Sequence, residues 1–561
     1  MEIGFPMHRF LFTLIFVIFL AGYAGASVQI VEFCPDPYLA DDTDEYVVLA
    51  GSESLDGITI SDGEGGFRFP PGTWINGKMT IARNGHAFLK SHGQLPDYEW
   101  MDYSPDVPDV IRGDPLRLAN ARDELMLYKN GNLVQNIIWP GTVRPREGQI
   151  HYLENDVWDP RPLMIGQSWF TPEIFHNVSV TTFVSPDCSS DVFIWTLNRA
   201  SEEILLNVYE FSSPIIADAL VTAKNRGVNV TVLVEGGPVG GISPEEKAVI
   251  RFMTDNEIPV SAMLPAKGDH APYRYDHAKY TVVDERLVLI TSENFKYSGF
   301  PPQGVSANRG WGVVLDDPGI ALYYSTVFTT DMASPSVVHY TGSSGTFESV
   351  PTRSYTPEFS PESFSGATVR PVIAPDTSYQ ITDLMNSAQQ SIEIEQAYIT
   401  NETEYDLNPY LSAAINASRR GVAVRVLLDS YYYNIEDEKD NDEMAALINT
   451  IGRNEQIPLE ARCADLAANN LEKIHNKGAI VDDRAVLVSS INWNSNSPNF
   501  NRESGVIVEH PGVARYFKTV FEDDWNASPV GKGVQTDWIR IAVVGLVILL
   551  LVVLYYYRHL R

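Results

Sequence analysis

Apolar positions change their spacing several times along the chain. Phe10 to Leu20 is an eleven-residue run, apolar except for Thr13, and Ala24-Gly25-Ala26 follows. A weak basic flank at His8-Arg9, a short apolar run and small residues describe a cleavable signal over 1–26. From residue 28 the pattern turns to short strands: Val28–Phe33 largely alternates, Glu45–Ala50 is short and apolar, and Gly57–Gly63 ends in a turn. Thr80-Ile81-Ala82 leads into Asn84-Gly85, and Glu124–Tyr128 leads into Lys129-Asn130-Gly131-Asn132. Short strands separated by such dipeptides predict a β-sandwich over 27–165. From about residue 180 the pattern becomes α/β. Ala223–Asn225 closes a helix at Gly227, the usual left-handed cap, and the apolar strand Val228–Glu235 follows. Ser243-Pro244-Glu245-Glu246 opens another helix, with Ser243 as N-cap, Pro244 first in the helix and Glu246 closing a capping box. At the far end, Trp538–Tyr557 is long enough to cross a ~30 Å hydrocarbon core. Aromatic residues flank it and Arg558, His559 and Arg561 follow. That pattern predicts a transmembrane helix over 538–557 with a cytoplasmic tail.

The second half of the chain repeats the first at a period of about 193 residues, which indicates duplicated domains. Ser185-Pro186-Asp187 answers to Ala374-Pro375-Asp376, and Ala223–Glu235 answers to Ala417–Asp429. Asn308-Arg309 answers to Asn501-Arg502. The copies run over 180–340 and 369–530, joined by a linker at 341–368 rich in Ser, Thr, Pro and Gly.

Composition narrows the reading. The 561 residues include 41 basic and 72 acidic side chains, a net charge of −31. That excess argues against general binding to a phosphate backbone and against docking on an anionic lipid surface. Only three cysteines occur, widely spaced and without a CxxC pair, which argues against a structural zinc site and a disulfide framework and leaves a single disulfide open. Sequons at Asn177, Asn229, Asn401, Asn416 and Asn526 agree with export.

The repeat carries one constellation of chemistry twice. The first copy has His277, Lys279 and Asp284, then Ser292 and Asn294; the second has His475, Lys477 and Asp482, then Ser490 and Asn492. The offsets are identical. His and Lys two apart on a strand share a face, as do Ser and Asn on the strand that returns, so a hairpin gathers all four. Imidazole supplies a nucleophile or a proton near neutral pH. Lysine, Ser and Asn donors stabilise phosphate oxygens. Asp284 and Asp482 sit at the turns, where a structural role is expected. Gly236–Gly241 resembles a phosphate loop in composition only, and is read as a β–α loop at the site. Tyr431-Tyr432-Tyr433 follows a strand end, where a loop can line a pocket.

These two motifs resemble those of the phospholipase D superfamily, and the likeness covers 180–530. It implies two halves packed face to face, a histidine that attacks phosphorus, a second that protonates the leaving alcohol, and no metal or other cofactor. Carried over by residue, the catalytic set is His277, Lys279, Asn294, His475, Lys477 and Asn492, supported by Asp284, Ser292, Asp482 and Ser490. The resemblance makes His277 the nucleophile. This chain departs from the family at Thr291-Ser292 and Ser489-Ser490, where Gly-Ser is usual. It also has Asn501-Arg502-Glu503 in one half but Asn308-Arg309-Gly310 in the other. Glu503 is expected to hold one histidine protonated, and Glu293 is a candidate to replace the carboxylate missing at 310. The N-terminal region resembles a lamin-tail domain, on Ile30–Phe33, Glu45–Leu49, Phe69-Pro70-Pro71-Gly72-Thr73 and Leu125–Gly131.

The fold class expected is therefore multidomain: an all-β immunoglobulin-like sandwich, two tandem α/β phospholipase D-like domains forming a monomeric pseudo-dimer, and a C-terminal transmembrane helix. The function expected is a membrane-anchored extracellular phosphodiesterase, with phospholipid as the favoured substrate. A nuclease of the same superfamily and a non-catalytic surface binding protein are the alternatives.

Overall fold

The computed structural model describes residues 27–527, apart from 121, 140–146, 155, 160, 265–270, 402–405 and 436–439. The chain divides into two compact units: Met1–Gln167 with the short segments Pro265–Pro272 and Ser334–Ser336, and the remainder. The expected signal at 1–26 lies outside the described residues.

The first unit is built on two sheets. Gln29–Cys34 pairs with Tyr46–Ser54, which pairs along its whole length with Trp74–Ala82. The second sheet contains Ile58–Ser61, Asp123–Lys129 and Asn132–Trp139. Ile30, Phe33, Val47 and Leu49 from one sheet meet Ile58, Ile60, Leu125 and Leu127 from the other in one core. Asn130-Gly131 makes the hairpin turn between the last two strands, with positive φ at both residues, as the dipeptide predicts. Asn84-Gly85 is different. Its amide oxygen accepts from Ala87 N at 3.0 Å and caps the helix Gly85–His92. An Asn before Gly serves a helix start as well as a turn, and only the following residues separate the two.

The second unit is a single mixed sheet of 15 strands that runs through both copies of the repeat. In the first copy Glu203–Val208, Asn229–Glu235 and Val260–Met263 are parallel neighbours, and Lys279–Val283, Leu287–Thr291 and Gly310–Asp316 continue antiparallel. The second copy mirrors this order with Ser391–Gln396, Ala423–Leu428, Leu459–Cys463, Lys477–Val481, Ala485–Ser489 and Glu503–Glu509. Phe175–Ser185 and Glu362–Ala374 pair antiparallel at the centre and join the copies. The second of these strands begins inside the segment expected to be linker.

The halves are therefore joined edge to edge as well as face to face. Helices Pro318–Met332 and Pro511–Ala527 pack into a common core with Tyr280, Val288, Val313, Ile480, Val486 and Val506. Trp311 of one half stacks on Phe517 of the other at 4.8 Å. Its ring covers Gly478, where a Cβ would meet Trp311 Cε3 at 2.5 Å. Separate outer cores, around Phe193, Leu220 and Val249 and around Leu384, Leu411 and Ile448, sit under the remaining helices.

The expected capping box is only half formed. Ser243 Oγ accepts from Glu246 N at 3.1 Å, but the Glu246 carboxylate accepts from Phe211 N at 2.8 Å. Glu246 is buried, so it takes an orphan amide of the adjoining segment. The cysteines Cys34, Cys188 and Cys463 are all free thiols.

The expected fold class needs one correction: a C-terminal transmembrane helix is not supported. Among the described residues no helix is long and apolar enough to cross a membrane, and 538–557 lie outside them. The last described helix, Pro511–Ala527, is amphipathic, packing Val513, Phe517, Val520 and Phe521 inward while Arg515 and Lys518 carry charge on its other side.

Candidate active site

The hairpin expected from the motif spacing forms in both halves. Lys279–Val283 returns as Leu287–Thr291, and Lys477–Val481 as Ala485–Ser489. Asp284 and Asp482 occupy the turns with positive φ. Asp284 accepts from the amides of Ser201, Glu202 and Glu203, all at 2.8 Å, and Asp482 from those of Gln389, Gln390 and Ser391. They tie the turn to the start of the neighbouring strand and stand away from the histidines.

The histidines are brought together by crossed backbone pairing. Asp276 bridges to Arg502, and Ile474 to Arg309. His277 N donates to Arg502 O at 2.8 Å, and His475 N to Arg309 O at 2.9 Å. Each histidine strand thus runs beside the segment that follows the Asn-Arg pair of the other half. Glu503, next to Arg502, is carried to His277: its Oε2 lies 2.8 Å from His277 Nδ1. The other histidine finds its carboxylate elsewhere, with Glu293 Oε1 3.1 Å from His475 Nδ1. The histidine that Glu503 holds is therefore that of the other half.

Glu293 occupies the space that a side chain at 310 would fill. A Cβ on Gly310 would meet Glu293 Oε1 at 2.4 Å. In the second half the corresponding pair is Ile491 and Glu503. The first half thus carries its carboxylate just after the strand Leu287–Thr291, with glycine at the head of the next strand, where the second half has Glu503.

The surroundings of the two carboxylates differ. Glu503 accepts from Ser490 Oγ at 2.6 Å, Asn501 Nδ2 at 3.0 Å, Ser497 Oγ and the His277 ring. Glu293 accepts from Asn308 Nδ2 at 3.0 Å and the His475 ring. Burial pushes the Glu293 carboxyl up to about 7, against the pull of Lys477 and Asn308. Burial also acts on Glu503, but His277, Lys279 and Ser490 outweigh it and hold it below the usual range. Both imidazoles lie below the ordinary value. Burial lowers His277, with Glu503 opposing. Burial lowers His475 further, joined by Lys477, Lys473, Lys279 and His277.

Lys279 and Lys477 are buried, and each Nζ donates to the carbonyl of its own histidine at 2.7 Å. Burial brings Lys279 down to about 8, and Lys477 well below its usual range. Ser292 Oγ accepts from Trp311 N at 3.1 Å, so it braces the strand. Asn294 Nδ2 donates to Glu210 Oε2 at 2.7 Å. Asn492 lines a cavity of about 360 Å³ with His475, Lys473, Tyr398 and Tyr431-Tyr432-Tyr433. The loop Gly236–Gly241 reaches the site through Tyr209, whose hydroxyl accepts from Val239 N and whose ring lies 4.6 Å from His277.

Sequence reasoning missed Lys473, Tyr209, Ser497, Asn308 and Asn501. The two asparagines had a signal, since each directly precedes the matching arginine, Arg309 or Arg502, in its half. Lys473 had none, because Tyr275 stands at its position in the first half.

A family described as "Cardiolipin synthase, PLD-like domain" matches residues 193–332 and 381–525, half of the chain. The chain belongs to the phospholipase D superfamily. Among similar proteins is a "Mitochondrial cardiolipin hydrolase" of Danio rerio, 30% identical over 110 residues, which are 20% of this chain and 42% of that protein. A protein of the same name from Chlamydomonas reinhardtii is 24% identical over 152 residues, 27% of this chain and 59% of that one. The chain spans about half the length of the curated relatives it matches. A phosphatidylserine synthase structure from Haemophilus influenzae covers 62% of this chain and 87% of its own at 14% identity, with a TM-score of 0.46. The structure of Nuc from Salmonella typhimurium, a phospholipase D family member, covers 30% and 99% at 23% identity, with a TM-score of 0.25.

Proposed function

We propose that this protein is a phosphodiesterase of phospholipase D type that hydrolyses or transfers a phosphodiester, with phospholipid as its substrate class. One observation carries the reading. Two imidazoles from opposite halves are each held at Nδ1 by a buried glutamate, which leaves both Nε2 atoms for substrate. Such a pair divides the work of displacement: one ring forms the covalent phosphohistidine, and the other gives a proton to the leaving oxygen and later takes one from water. Lys279, Lys477, Asn294 and Asn492 supply donors for the phosphoryl oxygens. The names of the matched relatives, cardiolipin hydrolases, support a phospholipid.

A nuclease reading has one observation in its favour. Tyr431, Tyr432 and Tyr433 beside His475 offer rings on which bases can stack. The net charge of −31 weighs against it. The test is turnover of a phosphatidyl diester and of single-stranded DNA by the same preparation. Phospholipid turnover that falls at least about 1,000-fold in His277→Ala and in His475→Ala is the expected result. DNA cleavage alone selects the nuclease, and turnover that survives both substitutions rejects the site.

Export belongs to the same proposal. Asn177, Asn229, Asn416 and Asn526 of the sequons are exposed. Protein recovered from a secreting host with residue 27 at its N-terminus supports it; retention of residues 1–26 opposes it.

A further inference from the structure

We infer that His475 is the nucleophile and His277 the proton donor, the reverse of the order the family resemblance implies, and that Glu293 is the relocated residue that orients the nucleophile. The inference rests on the phosphodiesterase reading and assigns roles within it.

The argument begins with the two carboxylates. Glu503 is surrounded by four donors, three of them uncharged: Ser490, Ser497 and Asn501. A buried carboxylate so fixed stays ionised and favours a proton on the imidazole against it. That imidazole is His277, 2.8 Å away. Glu293 has one such donor, Asn308, and a longer contact of 3.1 Å with His475. Lys279 and Lys477 act on both rings, but His475 faces a third cation, Lys473, which opposes a positive charge on its ring, and it lacks a partner as strongly fixed as Glu503. A neutral imidazole has a free lone pair on Nε2 when Nδ1–H is donated to a carboxylate, which is the form that attacks phosphorus.

The steps balance. His475 Nε2 forms a bond to phosphorus as the bond from phosphorus to the leaving oxygen breaks. His277 Nε2–H passes its proton to that oxygen, which departs as an alcohol. His277, now neutral, takes a proton from water, and the hydroxide oxygen bonds to phosphorus. The N–P bond breaks, His475 is neutral again and His277 protonated, and a phosphomonoester leaves.

Relocation of the glutamate has its own logic. A side chain at 310 would fill the volume Glu293 occupies, so the carboxylate can stand at 293 or at 310 but not at both. Ile491 and Glu503 show the alternative arrangement in the same molecule. Glu293→Ile alone removes the carboxylate; Glu293→Ile with Gly310→Glu returns it to the place used in the second half.

The experiment uses the full chain and two diesters, one with a nitrophenyl leaving group and one with an alkyl group. Reactions are quenched in alkali, where phosphohistidine survives, and the modified peptide is mapped by mass spectrometry. The adduct is expected on His475. His277→Ala is expected to give a stoichiometric burst with the nitrophenyl ester, which needs no proton, and then stall, while the alkyl ester is not cleaved. His475→Ala is expected to give no burst with either. Glu293→Ile is expected to slow the burst about 100-fold, and Gly310→Glu added to it to restore at least a tenth of the rate. A structural role for Glu293 predicts instead an unchanged burst per folded molecule. An adduct on His277, or a burst that survives in His475→Ala, overturns the assignment and leaves the phosphodiesterase reading intact. Absence of both adduct and turnover in the unaltered protein overturns the two together.

Discussion

A buried carboxylate decides what an imidazole can do, and this site holds two of unequal strength. Glu503 keeps its charge because four donors saturate it, and that charge favours a proton on His277 against the burial that lowers the ring. Glu503→Gln keeps an acceptor and removes the charge. A proton on His277 then becomes less favourable, so its pKa falls and its acidic form is lost at a lower pH. The descending limb of kcat/KM against pH is expected to move toward acid, with a loss of about 100-fold at pH 7. An unmoved limb would show that His277 does not supply the proton. The motif residues themselves were legible in the sequence, because identical offsets in a repeat are a two-fold signal. Their partners were not. Glu503 and His277 are joined by a backbone bridge between halves, and no spacing within a half encodes it.

At the scale of elements, local rules were read correctly where one strand or one turn decides the outcome. The two hairpins and the Asn130-Gly131 turn are of this kind. They failed where a neighbour competes for the same group. Asn84 caps a helix, and Glu246 leaves its own N-cap for Phe211 N. That displaced glutamate has a measurable consequence. Burial pushes Glu246 up to about 7 from 4.5. Between those values the folded chain holds a proton that the unfolded chain has released, so this contribution is complete below pH 4.5 and is lost as pH rises through 7. Glu246→Gln removes the dependence. Its stability relative to the parent is expected to improve by up to about 3 kcal/mol between pH 5 and pH 8, measured as denaturant midpoints at the two pH values. A constant difference rejects the assignment. Gly478 supplies a second case, since a methyl group there meets the Trp311 ring at 2.5 Å. Gly478→Ala is expected to lower stability by about 1–3 kcal/mol in the same measurement.

Across the whole molecule, the duplication could be read from the repeat, whereas the continuous sheet could not. Phe175–Ser185 and Glu362–Ala374 flank regions rich in loop residues, and their pairing is a long-range event. Buried ion pairs reinforce it in mirror image. Arg309 holds Asp187 at 2.7 Å in its own half and Asp524 at 2.8 Å in the other. Arg502 holds Asp376 at 3.2 Å in its own half and Asp331 at 2.8 Å in the other. Arg309→Met strands two buried carboxylates and is expected to cost about 3–5 kcal/mol. Unfolding of the second unit should remain a single transition when followed by probes in each of its halves, at Trp311 and at Trp493; separate transitions at those two probes would show that the halves fold independently.

The crossed pairing of Asp276 with Arg502 and of Ile474 with Arg309 has a consequence for inheritance. In a dimer of identical chains, each copy would lend its glutamate to its neighbour, and any change in one would appear in both. Fusion into one chain breaks that symmetry. One position can then lose its glutamate if the adjoining strand acquires another, as at Gly310 and Glu293, while Glu503 stays where it was. Two rings that would be equivalent in such a dimer are thereby free to take different roles in one chain.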